Sequence, residues 1–251
     1  MLTFNLGKSA RRAVVSAVVA VGGGVLSSST HAGYVATFQA YGSGQYASCG
    51  YRAAETWDST SALNYYSIRA FQHEFSSSSG DVRRTWCAEI YQSVTVGATY
   101  DFAEVVLEAV PTAPPGAMGF ERATLVRDLM ARWIDPQTHL VVGDAANRAA
   151  ISAAFQLAIW EITHENFAAT DASGMVSQMS LATGAFRSSP GDAVIGWYAA
   201  MRDSLGVGGF QFAAAAGLAE PQVQDQIYLI PGPSALAMMI LLGGASRRRR
   251  R

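Results

Sequence analysis

Residues 64–99, NYYSIRAFQHEFSSSSGDVRRTWCAEIYQSVTVGAT, set the fold class of this chain. The run Ser76-Ser77-Ser78-Ser79-Gly80 is turn chemistry, and the segments on either side, 64–75 and 82–99, are rich in aromatic and β-branched residues. They predict a β-hairpin. From Trp86 onward the even positions Trp86, Ala88, Ile90, Val94, Val96, Ala98, Tyr100 and Phe102 are apolar, broken only by Gln92. A period of two puts those side chains on one core-facing surface and predicts a strand running through to residue 99.

Strands are also expected at 34–41, 102–110, 209–215 and 222–230. Between them the period changes. Phe120, Ala123, Val126, Leu129, Met130 and Trp133 recur at helical spacing up to Asp135-Pro136, where a helix must stop. A second, Ala-rich helix follows with Asp144 as cap and runs to about Thr163. A third opens with Ser189 as cap and Pro190 at its first position, turns Val194, Trp197, Met201 and Leu205 inward, and ends at Gly206. The fold class expected is α+β, an antiparallel β-sandwich or sheet with inserted α-helices.

Charge is segregated along the 251 residues. The formal net charge of -1 conceals Lys8, Arg11 and Arg12 at one end and Arg247 to Arg251 at the other. The body between them, residues 33–230, holds ten Arg against nineteen Asp and Glu. An acidic body repels phosphate backbones, so nucleic acid is excluded as a partner. Two cysteines exclude a disulfide-dense scaffold and a four-thiolate zinc site, and no metal or cofactor is expected.

The ends read as addresses. Basic residues precede an apolar run at 13–26, and Thr30-His31-Ala32 has the small-x-small form of a signal-peptidase site, so residues 1–32 are expected to be a cleaved signal peptide. At the other end Pro231-Gly232-Pro233-Ser234 leads into the apolar segment 235–245, then Ser246 and five arginines. This order of motifs resembles the PEP-CTERM sorting signal of Gram-negative bacteria, with Gly232 where that signal usually has Glu. The resemblance implies handling by an exosortase, a short membrane segment that anchors transiently, and delivery to the cell envelope, surface or extracellular matrix. The domain boundaries expected are therefore 1–32, 33–230 and 231–251.

Within the body, serine-hydrolase elbows, phosphate loops, dinucleotide fingerprints and H-E-x-x-H are missing. One residue stands apart. Gln156 lies in Phe155-Gln156-Leu157-Ala158-Ile159-Trp160, an otherwise apolar helical segment, and a buried amide needs hydrogen-bond partners. Trp86-Cys87-Ala88-Glu89-Ile90 is the second unusual segment. Together the Cys-x-Glu strand and the later Gln-x-Ala-Ile-Trp helix resemble the two halves of the bacterial thioester domain of surface adhesins. Ala123, Leu125 and the Gln224-Asp225-Gln226 segment fit as well.

The resemblance implies an internal thioester between the Cys87 sulfur and the Gln156 acyl group. Such a bond captures surface or matrix amines covalently, in a single turnover and not as an enzyme. Trp86, Phe155 and Trp160 are the large apolar groups nearest in sequence and are expected to shield it from water. On a strand Cys87 and Glu89 share a face, which makes Glu89 a candidate for proton transfer. The only lysine is Lys8, so the mature chain has no ε-amine with which to quench its own electrophile. Two rival readings stand beside this one: a Cys49–Cys87 disulfide in a non-covalent matrix protein, and a cysteine protease with Cys87 as nucleophile and His73, His139 or His164 as base.

Overall fold

The hairpin expected from residues 64–99 forms as two neighbouring strands of the sheet, its second arm shorter than expected. A computed structural model describes residues 33–230; the expected signal peptide and sorting tail lie outside the described residues. Among the described residues seven strands occur in the order β1 (Tyr34–Tyr51), β2 (Tyr66–Ser77), β3 (Val82–Cys87), β4 (Thr99–Val106), β5 (Phe186–Ser189), β6 (Ala215–Ala219) and β7 (Gln226–Leu229). Four α-helices among the described residues interrupt them: α1 (Gly119–Trp133), α2 (Arg148–His164), α3 (Ala172–Gln178) and α4 (Asp192–Ser204). The class is α+β with a wholly antiparallel sheet, as the sequence led us to expect.

The sheet closes on itself instead of facing a second sheet. β1 pairs with β2, β2 with β3, β3 with β7, β7 with β6, β6 with β4, and β4 returns to β1. β5 adds to the far end of β1. The 18-residue β1 makes this closure possible. Irregularities between Phe38 and Ala40 and between Tyr41 and Gly44 bend it, so its first four residues pair with β4 and its last four with β5. At Gly44 a Cβ would lie 2.3 Å from the Ala70 carbonyl oxygen, so only glycine fits the bend.

Closure gives the ring an inside and an outside. Phe38, Phe75, Phe102, Leu218, Tyr34 and Tyr228 fill the inside, with Phe38–Phe75 and Phe75–Phe102 ring centroids 5.1 and 5.4 Å apart. Outward-facing Trp86, Ile227 and Leu229 join the larger core formed with the helices. Every residue of α2 from Ala150 to His164 is buried, the condition of a helix that is apolar all round. Among the described residues no helix is long and apolar enough to cross a membrane.

Several boundaries differ from expectation. The strand expected to reach residue 99 stops at Cys87, and residues 88–98 form a loop. The Glu89 carboxylate accepts from the Tyr91 and Gln92 N–H groups, which draws those donors out of any ladder. The apolar alternation therefore does not mark one core face: Val94 is buried and Val96 is half exposed. Asp144 caps a turn through the Asn147 N–H, and α2 starts at Arg148. Ser189 belongs to β5, while Gly191 precedes α4. Phe120, on the expected inward stripe of α1, is 69% exposed, and Trp197 is only partly buried against Trp133. The strand expected at 209–215 begins at Ala215, and the one expected at 222–230 is confined to Gln226–Leu229.

Candidate functional site

Pairing between β2 and β3 runs from Ser76–Val82 to His73–Thr85 and stops. Continued by two more residues, it would set Phe71 opposite Cys87. Phe71 stays paired with Gly44 of β1, and the side chain of Gln156 takes the open position beside β3. The Cys87 N–H donates to Gln156 Oε1 at 2.9 Å, and Gln156 Nε2 donates to the Cys87 carbonyl at 2.8 Å. Two residues of an antiparallel ladder exchange hydrogen bonds in this way, and here a carboxamide on α2 does the same for a strand end. The neighbours in sequence set the height of the helix. Trp86 and Phe155, one residue before Cys87 and Gln156, pack with ring centroids 4.6 Å apart.

The Cys87 side chain points to the inner face of the ring, shared with His73, Thr85 and Gln226. Its Sγ donates to Gln224 Oε1 at 3.0 Å and lies 3.5 Å from His73 Nε2 and 3.7 Å from His73 Nδ1. A rack of amides fixes this arrangement. Gln224 Nε2 donates to the Glu89 carbonyl at 2.7 Å, Gln226 Nε2 to the Gln224 carbonyl at 3.0 Å, and the Thr85 hydroxyl to Gln226 Oε1 at 2.8 Å.

Burial governs the protonation of the pair. It pushes the Cys87 thiol well above its usual value, helped by the charge of Glu89, and it lowers His73 to about 3. At neutral pH the two are therefore a thiol and a neutral imidazole, with no standing thiolate. Any attack by the sulfur must be accompanied by loss of the thiol proton, and the His73 ring is within reach of it. The partner expected for that proton, Glu89, makes no hydrogen bond to the thiol. Its Oε2 holds the 91–92 turn, its Oε1 has no protein partner, and burial raises its carboxyl above the usual range.

The other candidates fall into place around this centre. Trp160 packs on Phe186, one turn along α2 from Gln156, with ring centroids 6.4 Å apart. Cys49 and Cys87 are both free thiols. Cys49 is buried 3.4 Å from Ser188 Oγ, and burial pushes it up to about 11. His164 is buried edge-on to Tyr51 with Nδ1 near Thr163 Oγ1 and the Trp160 carbonyl; the His139 main chain accepts from Gln72. Of the three candidate histidines, His73 is the one that meets Cys87.

A cavity of about 280 Å³ reaches the sulfur from the surface, lined by Cys87, His73, Gln224, Tyr41, Tyr91 and Arg69 among others. In the sequence His73 stands out only as a protease base, Gln224 only as part of a segment that fits the resemblance, and Arg69 not at all. Alternate amides in Gln224-Asp225-Gln226 were the available signal for the rack. No family model matches the chain, and no curated protein or solved structure is significantly similar to it.

Proposed function

We propose that this chain is an exported surface protein that forms an internal thioester between Cys87 and Gln156 and captures amines covalently. The observation that carries the reading is the reciprocal pair of hydrogen bonds between the Gln156 carboxamide and the Cys87 main chain. It holds an acyl group beside a buried thiol. It also places the Cys87 N–H on the oxygen that gathers negative charge when the carboxamide carbon is attacked, a donor of the oxyanion-hole kind.

Rotation about the Cys87 Cα–Cβ bond takes the sulfur from Gln224 and His73 toward that carbon. His73 accepts the thiol proton, the sulfur adds to Gln156 Cδ, and the C–N bond breaks. Ammonia leaves carrying the proton, and an acyl–sulfur bond remains. An incoming amine then displaces the sulfur, forming an amide and returning the thiol. Trp86 and Phe155 keep the helix side of the junction dry. The leader 1–32 and the PEP-CTERM-like tail 231–251 supply export and sorting in this reading.

Intact mass of the secreted protein tests it. A thioester lacks one ammonia relative to the sequence, and methylamine adds its whole mass to that form as an adduct mapped to Gln156, with Cys87 freed for alkylation. A full-mass protein with Cys87 freely alkylated in the folded state refutes it. The Sγ–His73 contact favours one further reading, a cysteine hydrolase. In that case Gln156 keeps its amide and the protein turns over ester substrates.

A further inference from the structure

The cavity that reaches Cys87 has one permanently charged group on its wall, Arg69. This is unusual in a body with an excess of acid. Six of the ten arginines among the described residues pair with carboxylates. Arg69 is held by neutral phenols instead. Its Nε donates to the Tyr46 hydroxyl at 2.8 Å and its Nη1 to the Tyr41 hydroxyl at 3.0 Å, with the guanidinium carbon 4.7 Å from the Tyr41 ring centroid. Phenols fix the side chain without cancelling its charge, and Nη2 makes no hydrogen bond among the described residues.

Tyr41 in turn lies edge-on to His73, ring centroids 5.2 Å apart, and His73 touches the sulfur. One wall thus runs Arg69, Tyr41, His73, Cys87. No carboxylate lines the cavity, so a cationic visitor such as a protonated lysine or polyamine finds no ion-pair partner in it.

We propose that the nucleophile captured at this site carries an anionic group beside its amine, a carboxylate, sulfonate or phosphate, and that Arg69 binds that anion as a specificity determinant. The inference rests on the thioester reading. A guanidinium with free N–H groups binds such oxyanions with two parallel bonds, so it selects by geometry as well as by charge. Salt weakens the effect because Arg69 is exposed.

The test uses the secreted full-length protein, with taurine, β-alanine and ethylamine at equal free-base concentration. The readout is the rate at which Cys87 becomes alkylatable. The two anionic amines should react about tenfold faster than ethylamine at low salt, an effect of the size expected for one charge pair near water. The ratio should fall toward one in Arg69→Gln and survive in part in Arg69→Lys. Equal rates in the wild type, or an anionic advantage that persists in Arg69→Gln, overturn the proposal. A protein that has lost no ammonia refutes the thioester reading, and the captured nucleophile proposed here goes with it. A second measurement separates the two failures: in a Cys49→Ala, Gln156→Ala protein, iodoacetate should alkylate Cys87 faster relative to iodoacetamide than it does once Arg69→Gln is added. An unchanged ratio overturns Arg69 as an anion site whatever the state of Gln156.

Discussion

Replacing Gln156 by alanine should cost far more than the loss of one surface amide. Its carboxamide satisfies two buried main-chain groups at once, the Cys87 N–H and the Cys87 carbonyl. Leaving a buried donor or acceptor unsatisfied costs about 1–3 kcal/mol each, so Gln156→Ala should destabilise by about 2–6 kcal/mol. Against the 5–15 kcal/mol typical of a domain, that is a large share of the whole. The experiment belongs in a Cys87→Ala background, where the amide cannot be consumed and both hydrogen bonds persist. Urea unfolding followed by tryptophan fluorescence gives the difference in midpoint and slope. Gln156→Glu supplies a second arm. Its carboxyl, protonated, can donate to the Cys87 carbonyl and accept from the N–H; ionised, it cannot donate. Burial raises the folded pKa, so the stability of this variant is fully present below the unfolded value near 4.3 and lost as pH rises through the folded one. A Gln156→Ala protein within about 0.5 kcal/mol of its parent would refute the reasoning, since it would mean that the two main-chain groups find other partners at no cost.

Trp86→Ala removes the contact with Phe155 that sets α2 against β3; it should cost about 3–5 kcal/mol in thermal or urea unfolding and abolish ammonia loss in the intact mass. His73→Phe should slow ammonia loss by about 10²–10⁴-fold if the imidazole takes the thiol proton, measured by mass on freshly refolded protein. The same variant isolates a pH effect. His73 is lowered to about 3 in the fold against a usual 6.5, so the unfolded chain binds the extra proton between those values. Wild-type stability relative to His73→Phe should therefore be greatest above pH 6.5 and fall by up to about 1.4 kcal/mol per pH unit below it. Cys49→Ala should leave the ammonia loss untouched, and in the wild type Cys49, buried and pushed up to about 11, should alkylate only on unfolding.

Local periodicity made much of this legible. The hairpin of β2 and β3, and the positions of α1, α2 and α4, follow from turn chemistry and from repeats of two or 3.6, because these depend on neighbours in the chain. Gln156 was legible for a different reason: an amide inside an apolar helix has to find partners, and it finds them on Cys87. Ring closure was not legible. It depends on irregularities within β1 and on short strands such as Ala215–Ala219, whose composition resembles a helix. For the same reason His73 could not be assigned to the sulfur, since which residues share the inside of a ring is set by register between strands. The alternation past Cys87 misled because Glu89 captures the next two amides, a local competition that an apolar pattern does not record.

The pairing of β3 with β7 links residues about 140 apart, Thr85 with Tyr228 and Cys87 with Gln226. Contacts that distant form slowly and, in a chain made from its N-terminus, cannot form until residues 226–228 have been made. Cys87 is synthesised early, yet Gln224, the amide that receives its thiol hydrogen, arrives 137 residues later, and Gln156 arrives 69 residues later. A growing or partly folded chain therefore carries an ordinary cysteine and an ordinary glutamine. In the thioester reading, closure of the ring acts as a clock: the arrangement that sets Cys87 against both Gln156 and Gln224 waits for β7 to pair with β3.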